Sequence, residues 1–207
     1  MNQVLCEVTG VAPLMVNNIC KANPLHIITK AIREFSKKRA KTEDDMVIMS
    51  RLEWLGALYP EKDGTFTIIG SDLHIEGFGY PIVTGNMIEA CVIGGAKKHK
   101  NGTQFKAGVF CDENPYIEFE GRRTIPELYG DPKFVDTRNA KLQGKTTIFV
   151  TRAIFPQWQL HFRLNYLPDL INVSDIKQAL EAAGQQCALG TYRPQFGRFE
   201  LTGFKEV

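Results

Sequence analysis

The 207-residue sequence is poor in the residues that usually announce a site. It has four histidines and five cysteines, and Cys6, Cys20, Cys91, Cys111 and Cys187 are scattered along it. No two cysteines have the close spacing of a zinc knuckle or a redox CxxC pair, which leaves free, buried thiols in a reducing compartment. No apolar run approaches the roughly 20 residues that span a bilayer, and the first residues lack a signal peptide's apolar stretch. Charge bias is also missing: 25 Lys and Arg stand against 23 Asp and Glu, a net charge of +2. A phosphate-binding surface must therefore be local, not global. These absences predict a soluble cytoplasmic protein with no membrane partner.

What is present is ordinary globular composition, 43% hydrophobic and 23% charged, on a chain long enough for one sizeable domain over residues 1–207. Residues 3–9 alternate Val4, Cys6 and Val8 against Leu5 and Glu7, a strand pattern. Over residues 23–80 two helical stripes, Leu25-Ile28-Ile32-Phe35 and Ile48-Leu52-Leu55-Tyr59, are followed by a hairpin after Asp63-Gly64. This reads as a helical and hairpin insertion. Thr84 opens a further helix whose Ile88, Cys91, Val92 and Ala96 recur at the helical period. Residues 101–145 are rich in Gly, Pro and Asp and read as an extended loop.

In the last third, residues 146–155 are β-branched and aromatic, and Trp158 to Tyr166 alternates apolar with polar residues. A helix over 174–183, with Ser174 as cap and Gly184 as stop, leads to a last strand from Arg198 to Gly203. Without the two insertions the order is βαββαβ. The expected fold is α+β, with a ferredoxin-like or RRM-like core, an inserted helical subdomain and a long protruding loop. Such a sheet has one face free, and RNA-recognition modules stack bases on aromatic residues there.

Gly190-Thr191-Tyr192-Arg193-Pro194-Gln195-Phe196-Gly197-Arg198 joins the last helix to the last strand. Gly190 and Gly197 let backbone approach a ligand, Arg193 and Arg198 suit phosphate, and Tyr192 and Phe196 offer stacking surfaces. The competing reading is a loop that needs glycine only for its turns. It is neither a Walker loop nor a dinucleotide fingerprint. Lys37-Lys38-Arg39, with Lys30, Arg33 and Lys41, is the densest basic run; it reads either as a phosphate-tracking surface or as a solvated helix face. Arg122-Arg123 and Lys141/Lys145 carry the same two readings, and Lys97 and Lys98 sit at a helix C-terminus, where the dipole favours cations.

Three segments resemble the RAMP superfamily (repeat-associated mysterious proteins) of CRISPR systems. Val8-Thr9-Gly10-Val11-Ala12-Pro13-Leu14-Met15 is similar to its opening strand. Tyr80-Pro81-Ile82-Val83-Thr84-Gly85-Asn86-Met87-Ile88-Glu89-Ala90 resembles its first-helix entry, and Gly190 to Phe199 its C-terminal glycine-rich loop. They occur in family order and frame most of the chain. The layout is most similar to the backbone subunits that polymerise along a guide RNA, and a viral or solitary relative would share it. The resemblance implies a prokaryotic or phage protein that binds single-stranded RNA or DNA, in a homo-oligomer or ribonucleoprotein complex, without a cofactor. Lys97, Lys98, Arg193 and Arg198 are where that implication meets chemically suitable residues.

The leading expectation is thus a non-catalytic single-stranded nucleic-acid-binding protein. One alternative is a metal-independent endoribonuclease using His26, which follows the first strand and begins a helix. Another is a decoy that inserts into a ribonucleoprotein complex. No metal site is expected, since His74 and Glu76 have no third ligand nearby. Some target-cleaving backbone subunits carry an aspartate after the first strand; here Asn17-Asn18-Ile19-Cys20-Lys21-Ala22-Asn23 contains no acid.

Overall fold

The computed structural model describes residues 1–121, 124–142 and 146–207, without the side chains of 140–142 and 146–147. In chain order the elements are β1 (Asn2–Gly10), β2 (Leu14–Met15), α1 (Ile27–Ser36), α2 (Glu43–Leu55), β3 (Thr65–Ile69), β4 (Asp72–Glu76), α3 (Gly85–Lys98) and α4 (Gly102–Gly108). They continue with β5 (Val109–Phe110), α5 (Ile125–Gly130), β6 (Val135–Leu142), β7 (Thr146–Phe155), β8 (Gln159–Tyr166), α6 (Val173–Ala182) and β9 (Phe199–Glu206). The chain is a mixed α/β protein with several antiparallel sheets. It divides into two compact units: Met1–Met15 with Ile82–Arg122 and Phe155–Val207, and Val16–Pro81 with Arg123–Ile154. No helix among the described residues is long and apolar enough to cross a membrane.

The first unit is built on a four-stranded antiparallel sheet in the order β5-β8-β1-β9. Strand alternation sorts its side chains. Val4, Cys6 and Val8 of β1 and Leu160, Phe162, Leu164 and Tyr166 of β8 are buried, while Leu5, His161 and Arg163 face outward. The buried stripes of α3 (Ile88, Cys91, Val92) and α6 (Ile176, Ala179, Leu180) complete this core. The two helices touch backbone to backbone: a Cβ on Gly95 would lie 2.0 Å from the Ala179 carbonyl oxygen. Thr84 caps α3 through the Met87 amide.

In the second unit α2 begins with a capping box, Thr42 accepting from the Asp45 amide and Asp45 accepting from the Thr42 amide. Trp54 is fully buried and donates its indole N–H to the Phe134 carbonyl at 2.8 Å. β3 and β4 form a hairpin, and β6 pairs antiparallel with β7, setting Thr137 opposite Thr151.

Three expectations are corrected. Residues 146–155 are a strand, but β7 pairs with β6 and is not in the four-stranded sheet. The second strand of that sheet is the two-residue β5, too short to show any periodicity. The stretch 101–145 is not one extended loop: it holds α4, β5, α5 and β6. The start of α5 carries a legible signal, Thr124 and Glu127 in a capping box with proline in the first turn. Finally, Asn172 rather than Ser174 precedes the last helix, and Gly184 lies inside a π-helical turn, Ala183–Cys187, that continues it. Gly184 is needed for packing there, since a Cβ would meet the Phe199 carbonyl oxygen at 2.2 Å.

Candidate nucleic-acid interface

The π-helical turn delivers the chain into the glycine-rich loop, whose backbone is fixed to the segment leaving β1. Thr191 N–H donates to the Met15 carbonyl at 2.8 Å, Gly197 N–H to Pro13 at 2.8 Å, and Val11 N–H to Arg198 at 2.9 Å. Leu189 N–H closes the loop on the Gly197 carbonyl at 2.9 Å. Both glycines have positive φ, +76° at Gly190 and +73° at Gly197. A Cβ would meet the Met15 carbonyl oxygen at 2.2 Å in the first case and that of Leu189 at 1.9 Å in the second. The glycines are therefore structural requirements of this loop. Tyr192 also has positive φ, and its ring meets Phe196 edge-on at 6.4 Å between centroids.

This rigid base holds Arg193 and Arg198 with their side chains exposed. Beneath it Cys91 of α3 donates its thiol to the Ala188 carbonyl at 3.3 Å, and burial pushes that thiol up to about 12 although Arg193 pulls it the other way. Cys91 is therefore a packed, unreactive thiol, not a nucleophile. Lys97 and Lys98 are exposed on the last turn of α3, in the same unit. Among the described residues no hydrogen bond or ion pair joins either lysine to the loop.

The other expected positions separate. Lys37, Lys38 and Arg39 belong to the second unit. Lys37 pairs with Glu34 at 2.6 Å; Lys38 pairs with Asp45 and lies 4.8 Å from the Phe35 ring centroid. Arg39 is exposed without a partner among the described residues. Arg122, Arg123 and Lys145 lie outside the described residues. His26 precedes α1 without capping it, and its Nδ1 is buried with no hydrogen-bond partner. No group of three or more His, Cys, Asp or Glu among the described residues could hold a metal ion.

Two features escape the sequence pattern. The exposed face of the four-stranded sheet is acidic. Glu7 lies over Gly203, Glu113 pairs with Arg163, Glu118 approaches His161 at 3.6 Å, and Asp112 accepts from Asn165 at 2.6 Å. Glu120 and Glu200 extend the set near Thr9, while Arg163 and Lys205 are cations of this face among the described residues. Only part of the signal was available: Glu7 and Glu200 stand at outward strand positions, whereas Asp112, Glu113, Glu118 and Glu120 lie in the stretch between β5 and α5. The second feature is Lys21, whose Nζ is buried without a hydrogen-bond partner. Burial brings its ammonium down to about 8, against the pull of Glu53 and with the push of Arg152. No spacing rule marks a lone lysine in a short 3-10 turn, here Ile19–Ala22, as buried.

No protein-family model matches this chain, and no curated protein matches it.

Proposed function

We propose that this protein is a non-catalytic single-stranded nucleic-acid-binding protein, RNA by preference, related in its core to the RAMP backbone subunits. The observation that carries the reading is the loop: its glycines are required, its backbone is anchored at four points, and Arg193 and Arg198 are left exposed on it. A side-chain fork on a rigid base suits a phosphate, because little freedom is lost on binding. A ferredoxin-like reading of the core is supported by the sheet order. Counting only its own strands, β5-β8-β1-β9 is second, third, first, fourth, with α3 and α6 between the first and second and the third and fourth.

The binding mode proposed differs from that of an RNA-recognition module. The open sheet face carries carboxylates where such modules carry stacking aromatics, so it repels a phosphate backbone. Nucleic acid is assigned instead to the side bearing the loop, with Lys97 and Lys98 as further contacts.

The test is binding of labelled single-stranded RNA to wild type and to Arg193→Ala/Arg198→Ala at two salt concentrations. Loss of two phosphate contacts lowers affinity about tenfold or more at low salt and reduces the salt slope by roughly 2. An unchanged slope, or no binding by wild type at low salt, refutes the reading.

A further inference from the structure

We infer that the turn Ile19–Ala22 and the exposed side of α1 form a surface that lies on an anionic phospholipid bilayer. The inference goes beyond nucleic-acid binding and does not depend on it, since it concerns the second unit and not the loop of the first. Among the described residues Ile19 at 79% and Leu25 at 73% are the two most exposed aliphatic side chains, and Ile27 is 54% exposed. Single exposed aliphatics are ordinary on a protein surface, but three within nine residues are a local concentration. The segment that presents them is folded. The Thr29 hydroxyl of α1 donates to the Lys21 carbonyl of the turn at 3.3 Å, and Leu25 N–H donates to Asn23 Oδ1 at 2.9 Å.

Cations border these side chains. Along α1, Ile27, Lys30 and Glu34 recur at i, i+3 and i+7 on one stripe, with Arg33 next to it, and Lys37 and Arg39 follow at the helix end. Between Ile19 and Thr42 the sequence holds one acid, Glu34, whose ion pair with Lys37 is exposed and worth little. Lys30, Arg33 and Arg39 are exposed and have no ion-pair partner among the described residues. The helix is committed to the fold elsewhere: Ile28 is buried, and α1 packs on α2.

The chemistry selects the partner. Exposed aliphatics gain by leaving water for acyl chains, and lysine and arginine beside them reach headgroup phosphates while their stems stay in the apolar layer. A nucleic acid would satisfy the cations but leave the aliphatics in water, because the exposed apolar side chains of this segment include no flat ring on which a base stacks. A neutral bilayer would satisfy the aliphatics and not the cations. Anionic headgroups over acyl chains satisfy both. No spanning segment is required, since a surface helix lies in the interface plane.

The experiment is flotation of the full chain, freed of nucleic acid by nuclease, with vesicles of phosphatidylcholine alone or with roughly one-third phosphatidylserine, at low salt and at roughly 0.5 M salt. Wild type is expected to float with the anionic vesicles at low salt, to leave them at high salt, and not to float with the neutral ones. Ile19→Ser/Leu25→Ser/Ile27→Ser and Lys30→Glu/Arg33→Glu/Arg39→Glu should each weaken anionic-vesicle binding about tenfold or more. All six positions are exposed, and unchanged circular dichroism and thermal unfolding verify the fold. As an independent readout, Leu25→Trp should shift its emission to the blue on anionic vesicles, against a constant background from the buried Trp54 and Trp158. Single-stranded RNA is the contrasting probe, and the serine variant should bind it as wild type does. Wild type that floats with neither vesicle or with both alike, unchanged flotation of the serine variant, no blue shift, or a serine variant that loses vesicles and RNA together overturns the inference. Arg193→Ala/Arg198→Ala should float as wild type does, so failure of the RNA-binding reading leaves this one standing.

Discussion

In the first unit the buried side chains among the described residues are apolar groups, thiols and the hydrogen-bonded Trp158 and Tyr166, whereas the second also buries Thr29, Asp45, Thr151 and Arg152. The second unit also holds Lys21 Nζ and His26 Nδ1 away from both water and a hydrogen-bond partner. An apolar, close-packed interior gives a stiff base, which is what a backbone-anchored loop needs. A polar interior costs desolvation at every unpaired group and derives its order from hydrogen bonds. The first unit is therefore the scaffold of the proposed site, and the second is the part whose interior holds buried polar and charged groups.

The largest expected effect tests the stiffness of the first unit. Gly197→Ala puts a Cβ 1.9 Å from the Leu189 carbonyl oxygen at a φ of +73°, so the loop backbone must move. We expect a loss of about 3 kcal/mol or more in urea unfolding, together with loss of RNA binding. Gly130→Ala in the second unit is the control. Nothing lies within 4 Å of its Cβ, and the change is expected to be neutral within about 0.5 kcal/mol. Equal costs at both positions would remove the contrast.

A middle-sized effect separates the units by pH. The ammonium of Lys21 is brought down to about 8 by burial, so between about 8 and its ordinary 10.5 the unfolded chain binds the extra proton and stability rises with pH. Below pH 8 the desolvation cost is present in full. The thiols of Cys6, Cys91 and Cys111, all in the first unit, are pushed up to about 12 by burial. Their contribution has the opposite sign: it is present below about 9 and is lost as pH rises toward 12. Lys21→Met should thus be more stable than wild type near pH 7, by at most about 3.5 kcal/mol at roughly 1.4 kcal/mol per pH unit. Glu53, which loses the attraction of the Lys21 ammonium, reduces that gain, and it should vanish near pH 10.5. Urea unfolding of both proteins over this range checks it; a difference independent of pH would mean that Lys21 titrates normally in the fold.

How far the sequence carried these conclusions follows from the range of each signal. The alternation of Val4, Cys6 and Val8 and of Leu160 to Tyr166 is local and survives folding unchanged, as does the stripe of α3. The two helices and hairpin over 23–80 are likewise local patterns. Pairing is not local: Thr146–Phe155 has the same β-branched pattern whether it joins β8 or β6. Val109–Phe110 has no pattern at all, yet it occupies a place in the sheet. For the candidate site, the glycines of the loop were legible by residue type, but the contacts that require them were not. The contact that requires Gly190 lies with Met15, far away in the chain, and the one that requires Gly197 lies with the Leu189 carbonyl at the other end of the loop. Charge on the sheet face was legible residue by residue and went unsummed, because the carboxylates come from segments as distant as Glu7, Asp112 and Glu200.

The smallest effect asks whether the polar interior of the second unit is organised or merely tolerated. Thr151 is 2% exposed, and its hydroxyl lies between those of Ser50 at 2.8 Å and Thr137 at 2.9 Å, while its amide donates to Glu53 at 2.8 Å. Thr151→Val keeps the shape and the amide bond and removes only the central hydroxyl. If the three hydroxyls form a chain, half-buried Ser50 and exposed Thr137 each lose a partner, and unfolding in urea should show a loss of about 1 kcal/mol. The double replacement Thr137→Val/Thr151→Val removes two of the three groups together and should cost less than the sum of the single replacements, since fewer partners are stranded. Additive costs, or a neutral Thr151→Val, would show that the hydroxyls are independent. The second unit would then differ from the first in composition but not in what orders it.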